Sequence, residues 1–178
     1  MSLQSLVITT MLPVYIPLQF INKSINSFEI PITWQIPTAI LLTLIFQKEV
    51  ILKAYYIYIF LGLFIAPVFH QGGSIGYLLT PNFGYLLGLY PLIKIIDNFN
   101  KRNKINFGNF LINGFIAICA LHLTGIFYNF IQIIFFSQFN IFLYNLGKYS
   151  VGKIGYHFIM LLPLLLLIKP IKHLKKSK

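Results

Sequence analysis

The sequence predicts an all-α integral membrane protein: a bundle of six transmembrane helices with both termini cytoplasmic. Three observations lead there. Of 178 residues, 57% are hydrophobic and 10% charged, with a mean hydropathy of +0.78, whereas soluble domains carry roughly 25% charged residues. Apolar stretches near the roughly 20 residues needed to cross a hydrocarbon core of about 30 Å recur along the chain. The cations divide unevenly between alternate loops.

The predicted helices are residues 3–21, 30–46, 50–69, 74–96, 108–136 and 154–171. The first lacks a basic start and a small-residue cleavage site, so no cleavable signal is expected. The second and third, "IPITWQIPTAILLTLIF" and "VILKAYYIYIFLGLFIAPVF", are separated only by "QKE". The fourth is interrupted by "TPNFGYLLG", where Pro81 removes a backbone donor and frees a carbonyl one turn earlier. The fifth is the longest, and the sixth opens on "IGYHFIM". Between the last two, "SQFNIFLYNLGKYSVG", Ser137 to Gly152, is too polar at its ends to span and is expected to lie along the outer interface as a lid. Loops this short leave a single domain, 1–178, with no room for a soluble catalytic or nucleotide-binding unit.

With both termini inside, Lys48, Lys53, Lys94, Lys101, Arg102, Lys104, Lys169, Lys172, Lys175, Lys176 and Lys178 are cytoplasmic. Only Lys23, Lys148 and Lys153 remain outside, as the positive-inside rule requires. These cations flank membrane spans, so the net charge of +11 reads as topology and contact with the lipid bilayer, and no nucleic acid is expected. The single Cys119 cannot form an internal disulfide. Glu29, Glu49 and Asp97 fall at segment ends, which leaves no paired carboxylates for acid–base work. Neither a metal site, a cofactor site nor an HExxH helix is present, and no enzymatic activity is expected. No internal repeat suggests a stand-alone inverted-repeat carrier.

This topology gathers the polar residues on one side. Thr33 and Gln35 open the second helix, and His70 to Ser74 form the turn before the fourth. Asn82 and Tyr85 lie about two to three turns into the fourth helix, His122 and Thr124 in the outer half of the fifth, and Lys153, Tyr156 and His157 open the sixth. An unpaired polar group in an apolar medium costs a few kcal/mol, about 2–7, so such a cluster implies mutual pairing or a wet cavity. Glycines in "PVFHQGG" allow a tight turn and a bare backbone approach. Structural alternatives stay open: a helix N-cap for Thr33, a plain turn for Gly72 and Gly73, close helix packing for Gly84 and Gly88. His122 also suits a bond between helices, and Lys153 a snorkelling anchor.

"IPITWQ", "PVFHQGG" and "PNFGYLLG", in that order and spacing, resemble the BioY family, the biotin-binding S components of energy-coupling factor (ECF) transporters. The usual forms read roughly VPITLQ, PVFAGG and PTGGYLLGF, and the wording here looks like a cyanobacterial-type branch. The resemblance implies an S-component-like bundle in the cell membrane. It also implies an outward vitamin pocket and uptake powered by a membrane coupling subunit (T component) with two ATP-binding subunits. This chain has no Walker A pattern of its own. Carried over by motif position, Thr33, Gln35, Gly72, Gly73, Asn82, Gly84 and Tyr85 line the pocket. The family usually opens its last helix with an Asp and a Lys; here "KIGYHFIM" offers Lys153, Tyr156 and His157 and no acid. The expected arrangement sets Lys153, with the first backbone donors of the sixth helix, on the ligand carboxylate, and Thr33, Asn82 and Tyr85 on the ureido end. Ser5 and Thr9, small residues four apart on the first helix, are the expected contact with the coupling subunit. The alternatives are an S component for a related vitamin and a non-transporting membrane scaffold or assembly protein.

Overall fold

The computed structural model describes residues 1–21, 24–70, 72–102, 106–136, 139–167 and 170. Helix α1, Ser2–Met11, ends where Leu12 turns extended ahead of Pro13. Here the chain departs from the helix expected over 3–21. Pro13 and Pro17 each remove a donor and clash with a preceding turn, and Val14, Tyr15 and Ile16 between them favour extended backbone. Residues Pro13–Ile21 form strand β1, which pairs antiparallel with β2, Ser24–Thr33, from Pro13 opposite Thr33 to Ile21 opposite Ser24. The expected second helix, 30–46, likewise loses its start to β2 and begins as α2, Gln35–Ile45. The all-α expectation is thus corrected to a mostly helical fold carrying a two-stranded sheet among the described residues. The Trp34 amide donates to the Leu12 carbonyl at 3.1 Å and closes the base of the hairpin.

Helix α3, Lys48–Phe64, has Glu49 in its first turn, where the positive end of the helix dipole favours it. A ten-residue connection, 65–74, leads to a 3₁₀ turn, Ile75–Leu79. Pro81 then occupies the first position of α4, Pro81–Leu87, where its missing donor costs nothing. Carbonyls left free ahead of it are answered from α6, Phe107–Phe136: the Tyr128 hydroxyl donates to Leu78, and Gln132 Nε2 donates to Leu79 at 3.0 Å. Helix α5, Leu89–Arg102, continues from α4 through Gly88. Asn106 caps α6, its Oδ1 accepting the Asn109 amide at 2.8 Å.

The last part of the chain differs most from expectation. Instead of an interfacial lid ahead of a helix at 154, α7 (Phe139–Asn145), a π-helical turn (Leu146–Val151), α8 (Gly152–Ile159) and α9 (Leu161–Leu166) follow one another as a helical run. Ser150, in the polar end that argued against a span, is buried in the bundle, as is Asn145. Pro163 conflicts with the carbonyl four residues back, which accounts for the break between α8 and α9 at Met160. Counted as α1, α2, α3, α4 with α5, α6, and the α7–α9 run, the described residues give six helical units. Residues 107–135 and 139–166 are long and apolar enough to cross a bilayer. Lys104, Lys169 and the lysines beyond residue 170 lie outside the described residues.

Leu6, Ile40, Ile51, Leu92, Ile93, Ile118 and Leu121 form the main core. A second, aromatic cluster holds the 65–74 connection: the Phe69 ring lies 5.2 Å from Tyr58 and 4.7 Å from Tyr77, seated over Gly62. At one end of the bundle, buried Asp97 pairs with Lys101 at 3.0 Å and approaches Lys48 at 3.9 Å, joining α5 to the start of α3. The cavity described below opens at the other end.

A Cβ at Gly88 would lie 2.6 Å from the Leu121 carbonyl oxygen, whereas one at Gly155 meets nothing within 4 Å. Gly88→Ala should therefore destabilise the detergent-solubilised protein by about 1–3 kcal/mol. Gly155→Ala should be neutral or stabilising by up to about 1 kcal/mol. Thermal unfolding of the two variants side by side checks the difference, and equal midpoints would disprove the tight α4–α6 contact.

Candidate functional site

A cavity of ≈ 480 Å³ lies where the hairpin, α2, α4, α6 and the α7–α9 run converge, a size typical of small-molecule sites. Its apolar wall comes from Ile36, Leu86, Leu89 and Leu121. Met11, Pro13 and Ile32 close it from the hairpin side, so the strands that replace the expected helix ends form part of the wall.

Two hydrogen-bonded chains frame the polar side. In the first, Tyr58 OH, fully buried, bonds Thr10 Oγ1 at 3.0 Å and accepts from Gln35 Nε2 at 3.0 Å, which joins α1, α2 and α3. In the second, Tyr85 OH meets Ser150 Oγ at 2.7 Å, Ser150 Oγ meets His122 Nδ1 at 3.3 Å, and His122 Nε2 meets His157 Nδ1 at 3.0 Å. This chain joins α4, the π-helical turn, α6 and α8. Gly125 makes room for it, since a Cβ there would fall 2.4 Å from the Tyr85 ring. At the rim, Tyr77 OH donates to the His70 carbonyl at 3.0 Å, and Asn82 bonds the same hydroxyl. Desolvation and then the Lys153 ammonium hold the His70 imidazole below its ordinary range, with the Thr10 backbone pulling the other way.

Lys148 and Lys153 give the cavity its charge. Their Nζ atoms lie 5.2 and 5.3 Å from the centre of the Tyr149 ring, Lys148 reaching it from within the π-helical turn and Lys153 from the start of α8. Neither Glu49 nor Asp97, the carboxylates whose side chains the structure describes, pairs with either. Lys148 is exposed, whereas the Lys153 ammonium is half-buried at the edge of an apolar cavity, which suits it to an anionic group on a ligand.

Of the residues expected at the site, Thr33, Gln35, Asn82, Tyr85, Lys153 and His157 all line this one cavity. Thr33 ends β2 and caps no helix, since α2 starts after Trp34 without a side-chain cap. Four others lie off the lining. Gly72 adopts φ +136° and exchanges backbone hydrogen bonds with Phe69. Gly73 packs where a Cβ would sit 2.6 Å from Pro67 Cα. Gly84 faces Tyr128 of α6, where a Cβ would fall 2.5 Å from the Tyr128 Cβ, and Tyr156 packs against Val14, Ile32 and Met160. Ser5 and Thr9 lie on α1 with both hydroxyls bonded back into their own helix, at 3.0 and 2.6 Å. Gln71 and Lys23 lie outside the described residues.

Because α8 continues from a helical turn, its first amides are already engaged: the Gly152 amide donates to the Gly147 carbonyl. The free helix N-terminus expected at Lys153 is therefore absent, and the second cationic side chain lining the cavity is Lys148. Sequence reading missed Lys148, Tyr149, Tyr77 and the hairpin residues. The five-residue spacing of Lys148 and Lys153 was the available signal, because a π-helical turn closes on i→i+5 bonds and returns such a pair to one face.

No curated protein matches the sequence. Among solved structures, the 2.1 Å crystal structure of the S-component for biotin from an ECF-type ABC transporter superposes with a TM-score of 0.66 at 20% sequence identity. The alignment covers 98% of this chain and 87% of that one, so the two share a fold. The family model described as the BioY family matches residues 2–163. That match runs through the hairpin, the connection over the cavity and both lysine-bearing turns, and the chain belongs to the BioY family.

Proposed function

We propose that this chain is the substrate-binding S component of an ECF-type transporter and that it captures biotin from outside the cell membrane. Family membership and the shared fold support the S-component role. The observation that carries the ligand reading is the cavity: an apolar wall facing a short row of polar groups, with Lys148 and Lys153 beside it and no described acid. A mostly apolar bicycle with one polar ring and one carboxylate matches that distribution. In this reading Lys153, assisted by Lys148, meets the valerate carboxylate, and Thr33, Asn82 and Tyr85 meet the ureido ring. Both termini are cytoplasmic, so the cavity opens outward, consistent with the excess of cations at the other side. Transport is driven by a T component and two ATP-binding subunits, and α1 docks on the T component through Ser5 and Thr9.

Equilibrium binding of radiolabelled biotin to the purified protein separates this reading from that of a non-transporting scaffold, which binds none. Lys153→Met should weaken biotin by about 1.5–3 kcal/mol, the worth of a charged hydrogen bond, and leave an uncharged biotin amide unchanged. Equal losses for both ligands, or none, would remove Lys153 from the carboxylate.

Ser5→Leu combined with Thr9→Leu should abolish co-purification with the T component while biotin binding persists, since bulky side chains prevent close helix approach. Loss of biotin binding in that variant would place the face inside the bundle instead.

A further inference from the structure

The chain Tyr85–Ser150–His122–His157 begins and ends on the cavity wall, but its two middle members do not line the cavity. Its bonds constrain one another. Among the described residues Ser150 Oγ has only Tyr85 OH and His122 Nδ1 as partners, so its single proton goes to one or the other. If Ser150 donates to His122, then Tyr85 must donate to Ser150 and turn its oxygen lone pair to the cavity. His122 then carries its proton on Nε2 and donates to His157 Nδ1, which leaves His157 Nε2–H as a donor. If Ser150 donates to Tyr85, every step reverses: Tyr85 O–H points to the cavity as a donor and His157 Nε2 is an acceptor. Both imidazoles are buried, with Lys153 nearby and no described acid facing them, so an added proton would be an unpaired buried charge.

We infer that Ser150 and His122 are specificity-determining positioning residues: through this four-membered chain they oblige the cavity to present one donor and one acceptor together, the complement of a cyclic urea with its N–H and C=O. This rests on the biotin reading for the ligand, while the coupling itself is a property of the chain. It discriminates against a ring offering donors only, because Tyr85 and His157 cannot both be acceptors.

The test compares biotin with 2-iminobiotin, whose guanidinium offers only N–H donors, in the wild type, Ser150→Ala and Ser150→Thr. Cutting the chain with Ser150→Ala should shrink the preference for biotin by roughly tenfold, the worth of one misdirected hydrogen bond. Ser150→Thr, which keeps the hydroxyl, should restore it. A preference unchanged in Ser150→Ala, both ligands moving together, would overturn the inference and mark Ser150 as merely structural. Should that variant not fold, ¹⁵N NMR of the histidines in the wild type decides. Coupled bonds require His122 and His157 to be the same tautomer, both Nε2–H or both Nδ1–H, with or without ligand. Opposite tautomers or a protonated ring would refute the coupling. Failure of biotin to bind the wild type at all, with matched tautomers, removes the ligand reading and its urea match and leaves the coupling standing.

Discussion

The bond between Tyr85 and Ser150 joins two parts of the chain that hold the cavity between them, α4 and the π-helical turn, and most of the local architecture answers to it. Gly125 leaves α6 open so that the Tyr85 ring can reach across, and the π-helical turn carries Ser150 inward while bringing Lys148 and Lys153 to the Tyr149 ring. In an apolar surround each such hydroxyl or imidazole must be answered by another polar group, because leaving it unpaired costs more than the bond is worth in water. The same demand explains why Thr10, Tyr58 and Gln35 meet, and why Tyr128 and Gln132 reach the carbonyls ahead of Pro81.

That demand is also why the site was partly legible before any coordinates. Thr33, Gln35, Asn82, Tyr85, Lys153 and His157 come from three predicted helices far apart in the chain, yet only one end of a six-helix arrangement brings them together. The helical character of residues 35–64 and 107–136 followed from unbroken apolar runs of sufficient length. The hairpin did not, because hydropathy weighs Val14, Ile16 and Ile32 the same in either conformation. Pro13, Pro17 and Pro31 had to be read as donors missing from a helix.

Glycines were the least legible residues. Gly72 is explained by its own dihedral angle and was readable as a turn. Gly84 and Gly88 instead answer to Tyr128 and Leu121, partners more than thirty residues away, and no local pattern separates a glycine that admits a ligand from one that admits a neighbouring helix. The lid expected at Ser137 to Gly152 failed for a related reason. Ser150, at its polar end, looks interfacial in sequence and is in fact buried with Asn145 in the polar interior of a helical run.

The π-helical turn sets a strict rule on chain length. A π-bulge is an α-helix holding one surplus residue, and each residue of an α-helix advances the azimuth by about 100°. Removing one residue between Leu146 and Val151 would let the hydrogen-bond ladder close as in an α-helix, leaving α7 and α8 in line and turning the side chains of the turn itself by up to that angle. His157 would stay in place against His122, while Tyr149 and Ser150 would lose their present placement against Lys153 and Tyr85. The segment therefore tolerates exchange of side chains far better than any change in their number, and the length of this stretch is itself part of the recognition element.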